Sequence, residues 1–76
     1  MIEVDGYILD TLTASLINKI EIKFDIARKL WLCELYVSEH YVAGRGETPN
    51  LALIDFDLRF YSNVPVYNAL QVLLRG

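Results

Sequence analysis

Period-two alternation marks the middle of the chain. Ile20, Ile22 and Phe24 fall on one side, and Glu21, Lys23 and Asp25 on the other, the pattern of a strand with one wet face. Asp25 to Lys29 supplies a turn, without the Asn-Gly or Asp-Gly pair that most favours a tight hairpin. The return strand, 30–37, is apolar on both faces at Trp31, Leu32 and Cys33, which places it in the middle of a sheet or under a partner. A third strand follows over 41–45. Gly44 and Gly46 flank Arg45 at its end, where a backbone turning through positive φ or a bulge would call for glycine.

The pattern then turns helical. Thr48 can accept a hydrogen bond from a first-turn N–H, and Pro49 at the first helical position sacrifices no pairing, so a helix is expected over 49–62. Ile54 to Phe60 also alternates like a strand, but aspartate is disfavoured there and Leu, Ala and Arg favour helix. At 100° per residue Ala52, Leu53, Phe56 and Phe60 form one apolar face; Leu51, Ile54, Leu58 and Tyr61 form a second. Asn50 and Asp57 mark one seam between the faces, and Asp55, Arg59 and Ser62 the other. One face belongs on the sheet, and the second calls for the C-terminal segment or another subunit. Asn63 and Pro65 can open a last helix, 65–75, with Val66, Ala69, Leu70, Leu73 and Leu74 at helical spacing. Near the start, Asp10 can cap a helix over 10–18 that places Leu9, Leu12, Leu16 and Ile20 along one side.

These elements describe one α+β domain, residues 1–76. It has a three-stranded antiparallel sheet (20–25, 30–37, 41–45) with helices packed on it (10–18, 49–62, 65–75). A chain of 76 residues is near the size at which a single core becomes marginal. A single cysteine, Cys33, and a single histidine, His40, supply neither a disulfide nor a metal staple. With 54% apolar and 12% aromatic residues, the remaining reinforcement is self-association.

The net charge of −3 and seven scattered basic residues argue against a phosphate-binding stripe, so no direct nucleic-acid contact is expected. The N-terminal stretch carries Glu3, Asp5 and Asp10 where a signal peptide would be basic, and no stretch has transmembrane length. A cytoplasmic protein with a reduced cysteine is expected, bound to no membrane.

Catalytic chemistry finds little support in the residues. Gly44-Arg45-Gly46-Glu47-Thr48-Pro49 has neither phosphate-loop spacing, and Glu47 would repel a phosphate. His40 reads as a loop histidine without an orienting acid, and Cys33, in the most apolar strand, reads as a small hydrophobe with a raised pKa. Asp55 and Asp57 cannot share a helical face and lack a third metal ligand. Trp31, Tyr36 and Tyr41 could stack on a ligand, but strand aromatics more often serve a core or interface. No catalytic, cofactor-binding or metal-binding residue is assigned.

The segment from Ile20 to about Leu53 resembles the HicB-like antitoxin domain. The likeness rests on the alternating strand Ile20 to Phe24, the acidic turn at Asp25, Trp31 on the second strand, and the entry Gly46-Glu47-Thr48-Pro49 into Asn50-Leu51-Ala52-Leu53. Ser38-Glu39-His40 stands where that family usually carries Pro-Gly. Short phage proteins described as ABA sandwiches are similar in the same helix entry and carry a helix ahead of the strands. The resemblance implies a three-strand-plus-helix unit that binds a protein. The expected function is a non-catalytic interaction module, an antitoxin-like or phage-encoded inhibitor that binds an unidentified partner protein as a homodimer. Its proposed interface is Trp31, Leu51, Ile54, Leu58 and Tyr61. The alternative is an assembly protein of a phage or mobile element, and a small enzyme or ligand-binding subunit comes last.

Overall fold

A computed structural model describes residues 2–37 and 39–75, with side chains through residue 72. The chain opens with a hairpin that the periodicity did not suggest, β1 (Glu3–Val4) and β2 (Tyr7–Ile8), paired Val4 to Tyr7 and Glu3 to Ile8. Its two-residue turn is Asp5-Gly6, with φ of 50° and 82°. Positive φ at both central residues is the geometry whose twist suits a tight hairpin.

The helix α1 (Thr11–Ser15) is shorter than the expected 10–18, although its cap is the expected one: the Asp10 carboxylate accepts from the Leu12 N–H at 3.1 Å. After Leu16 the backbone tightens into turns, with the Lys19 and Ile20 N–H groups both donating to the Leu16 carbonyl. Leu9, Leu12, Leu16 and Ile20 are all buried, as their spacing requires.

The main sheet contains β3 (Glu21–Asp25), β4 (Leu30–Val37) and β5 (His40–Gly46), antiparallel, with β4 in the middle as its two apolar faces demand. The first turn closes with the Arg28 N–H and guanidinium both donating to Asp25, and with Lys29 at φ 56°. The register puts Ile22 opposite Cys33, Phe24 opposite Trp31, Cys33 opposite Gly44 and Trp31 opposite Gly46, all on the side facing the helices. His40 is not in a loop: it opens β5, opposite Val37 and half-buried.

Gly44 and Gly46 correct the expectation of a turn. Both lie within β5, and neither has the positive φ seen at Gly6. They are glycines because the backbone of α2 (Pro49–Ser62) lies directly on them. A Cβ built on Gly44 would fall 2.1 Å from Phe56 N, and one on Gly46 would fall 2.5 Å from Ala52 N. This close seating buries Ala52, Leu53, Phe56 and Phe60, the first of the two predicted faces.

The helix begins as its sequence dictates, with Thr48 Oγ1 accepting from the Leu51 N–H at 3.1 Å and Pro49 in the first turn. α3 (Val64–Arg75) follows after Asn63 and returns Val66 and Leu70 to the core. Leu73 and Leu74, expected on the same face, lie beyond the described side chains. No helix among the described residues is long and apolar enough to cross a membrane.

Candidate interaction site

The second apolar face of α2 stays uncovered among the described residues. Leu51, Ile54, Leu58 and Tyr61 recur at i, i+3, i+7 and i+10, the spacing of one seam along a helix. Leu51 is 44% exposed, Leu58 52% and Tyr61 63%, whereas Ile54 is half-buried against the core. α3 does not shield this stripe. Its Tyr67 ring packs edge-on against Tyr61 and tilted against Phe60, close to the α2–α3 junction. Large apolar side chains left in water along nearly three turns of helix mark a surface for association.

Leu58 stands between two depressions. One, about 300 Å³, is bounded by Tyr7, Ile8, Asp10, Asp57 and Tyr61; the other, about 750 Å³ and wide open, runs past Asp55, Arg59 and Asn63 to Pro65. Ile8, on the missed hairpin, is exposed and extends the apolar stripe beyond α2. A polar network lies beneath the smaller depression. Asp57, assigned from the sequence to a seam, is only 2% exposed, because the hairpin folds over it. Its carboxylate accepts from the Tyr7 hydroxyl at 2.6 Å and from the Asp10 N–H at 3.3 Å. The hydrogen bond to Asp57 pushes the Tyr7 phenol up to about 12, with burial and the charges of Asp57 and Asp10 adding to it. Tyr67 donates to Asp10 at 3.1 Å and ties α3 to the same network.

The remaining proposed interface residue, Trp31, is not on this stripe. It is half-buried on the helix side of the sheet, where it meets Phe24 edge-on at 5.4 Å. It approaches only the Leu51 end of α2, through Gly46, which it faces across the sheet. Tyr36 and Tyr41 stack at 4.6 Å on the opposite, open face, so the three aromatics form no single platform. On that face Glu34 is buried between Lys23, whose ammonium lies 2.6 Å away, and the Tyr41 hydroxyl at 2.8 Å. The Lys23 hydrogen bond, followed by that of Tyr41, holds the Glu34 carboxyl below the usual carboxylate range.

The chemically reactive side chains are dispersed. Cys33 is fully buried, and burial pushes its thiol up to about 11, away from the thiolate that nucleophilic chemistry requires. Asp55 accepts from Arg59 Nε and from the Arg45 N–H, both at 2.9 Å, and diverges from Asp57 as helical geometry demands. Among the described residues no three His, Cys, Asp or Glu side chains gather as a metal site.

Sequence reasoning placed Leu51, Leu58 and Tyr61 on a second helix face, where the structure leaves them exposed, and did not bring Ile8, Tyr7 and Asp57 to that surface. The signal for these was the Asp5-Gly6 pair, which announces the hairpin that carries two of them and covers the third. The chain matches no family model, no curated protein and no solved structure, so the reading of its function rests on these surfaces.

Proposed function

We propose that the protein is a non-catalytic interaction module, an antitoxin-like or phage-encoded inhibitor that binds a partner protein and acts as a homodimer. The observation that carries this reading is the uncovered stripe Leu51, Ile54, Leu58 and Tyr61 along α2. A helix anchored rigidly by glycine-mediated contact on one side and apolar on the other can present a fixed row of side chains to a groove or helix of another protein. Leu58, flanked by two depressions, is suited to anchor such a contact, and Tyr61 supplies a large amphipathic ring. The acidic balance of the chain, −3, favours a partner with a basic face.

The test is capture from the source cell with the wild-type chain and with Leu58→Glu. Leu58 is more than half exposed, so the charge leaves the fold intact. Capture of a defined protein by the wild type, with loss of both capture and biological activity in Leu58→Glu at unchanged circular dichroism, supports the reading. Equal activity of the two chains contradicts it.

A further inference from the structure

The geometry points to the free edge of β3 as the self-association surface: two copies pair their β3 strands antiparallel about a two-fold axis at Ile22, joining two three-stranded sheets into one of six. This rests on the reading of the protein as a self-associating module and assigns the surface that does it.

The sheet has two edges, and they differ. On β5 the Arg45 N–H is already taken by Asp55 of α2. On β3 every residue from Glu21 to Phe24 is exposed on both faces of the strand. Ile22 and Phe24 point to the helix side, where the alternation predicts burial, yet they are 43% and 46% exposed because α2 is seated over β5 and β4. An edge with open backbone and uncovered apolar side chains is a template for another strand.

The charge pattern selects the partner and the register. A two-fold pairing of identical edges needs the axis perpendicular to the sheet, so that it passes through one residue of the strand and each residue faces one on the same side. An axis at Lys23, which would give the greatest overlap of Glu21–Asp25, sets Lys23 against Lys23 and Glu21 against Asp25. That register is repulsive throughout. An axis at Ile22 sets Glu21 against Lys23, twice, with no like charges facing inside the strand; Lys19, which would face Asp25, lies in the turn that closes on the Leu16 carbonyl. On the helix side it sets Ile22 against Ile22 at the axis, while Ile20, which would face Phe24, is buried in the chain's own core. An axis at Phe24 sets Lys23 against Asp25 without repulsion, but Asp25 is already held by Arg28, and the register carries Glu21 onto Ala27 and Ile22 onto Ile26 in the turn. The strand is therefore self-complementary, and the Ile22 register satisfies most of it.

Two sets of variants test this by sedimentation and by crosslinking. Glu21→Lys places lysine against lysine between copies, while within the chain residue 21 lies directly opposite Glu34 and the new lysine gives that buried acid a second cation. It should weaken the dimer by about tenfold or more, and adding Lys23→Glu should restore most of the loss, because opposite charges again face each other. In a Cys33→Ser background, needed because Cys33 lies directly opposite residue 22 within the chain, Ile22→Cys should form an intermolecular disulfide under mild oxidation, since directly opposed strand residues approach within disulfide reach, and Phe24→Cys should not. Crosslinking through Phe24→Cys instead, or a dimer indifferent to Glu21→Lys but lost in Leu58→Glu, overturns the edge assignment and leaves self-association standing. A wild-type chain that stays monomeric overturns both.

Discussion

Replacing Gly44 by alanine tests the contact that sets α2 on the sheet. The added Cβ would sit 2.1 Å from Phe56 N, 2.5 Å from Phe56 Cα and 2.8 Å from the Ala52 carbonyl oxygen, all helix backbone that no side-chain rotation can move aside. Ordinary contact needs roughly 3.5 Å, so the helix must recede by about 1 Å or more. Recession loosens Ala52 and Phe56, both fully buried, so overpacking at the strand is compounded by lost contact around it. Small-to-large changes in packed cores cost about 1–3 kcal/mol, and the upper end is expected here because backbone opposes backbone. A domain of this size has about 4–11 kcal/mol in total. A loss of about 3 kcal/mol would lower the midpoint temperature by about 12–24 °C. Urea and thermal melts followed by fluorescence of Trp31, the single tryptophan, read the effect. Gly6→Ala is the control: a Cβ there meets nothing within 4 Å, and the cost of about 1–2 kcal/mol comes from its positive φ alone. A Gly44→Ala chain within about 0.5 kcal/mol of wild type, the range of a neutral surface change, would refute the close-seating argument.

Thr48→Ala should cost about 1 kcal/mol by removing the α2 cap, seen as a shifted denaturant midpoint with an unchanged slope. Tyr7 has a raised phenol, so the unfolded chain loses that proton near pH 10 while the folded chain keeps it to about 12; stability should be full below 10 and fall as pH rises between the two. Tyr7→Phe should reduce the slope of stability against pH in that window, as measured by alkaline melts. His40→Ala and Cys33→Ser should leave biological activity intact apart from a packing cost at Cys33, assayed beside their melts; loss of activity in a normally folded His40→Ala chain would reopen an enzymatic reading.

The elements that were legible in the sequence are those whose signals are local and redundant. Thr48-Pro49 fixed the start of α2, Asp10 that of α1, and the two-sided apolarity of 30–37 placed β4 in the middle. The competing strand pattern of Ile54 to Phe60 yielded to the cap and to the fit of Ala52 and Phe56 against two glycines. What escaped depended on neighbours distant in sequence. Gly44 and Gly46 carry the same letter whether they turn the chain or admit a helix, and only the position of α2 distinguishes the two. Asp57 is buried because Tyr7, fifty residues away, caps it. Ile22 and Phe24 alternate like buried residues, and no periodicity reports that the helix would lie over the other two strands. Asp5-Gly6 is itself a hairpin signal, but its flanking strands are only two residues long, too short for an alternation to show.

Whether this chain works by association through apolar surface it cannot cover alone is decided by sedimentation equilibrium of the wild-type protein from micromolar concentration upward, alongside binding of a hydrophobic dye. A reversible dimer at twice the chain mass is expected, with dye bound at the exposed α2 stripe. A stable, folded chain that remains at single-chain mass throughout and binds no dye would contradict it.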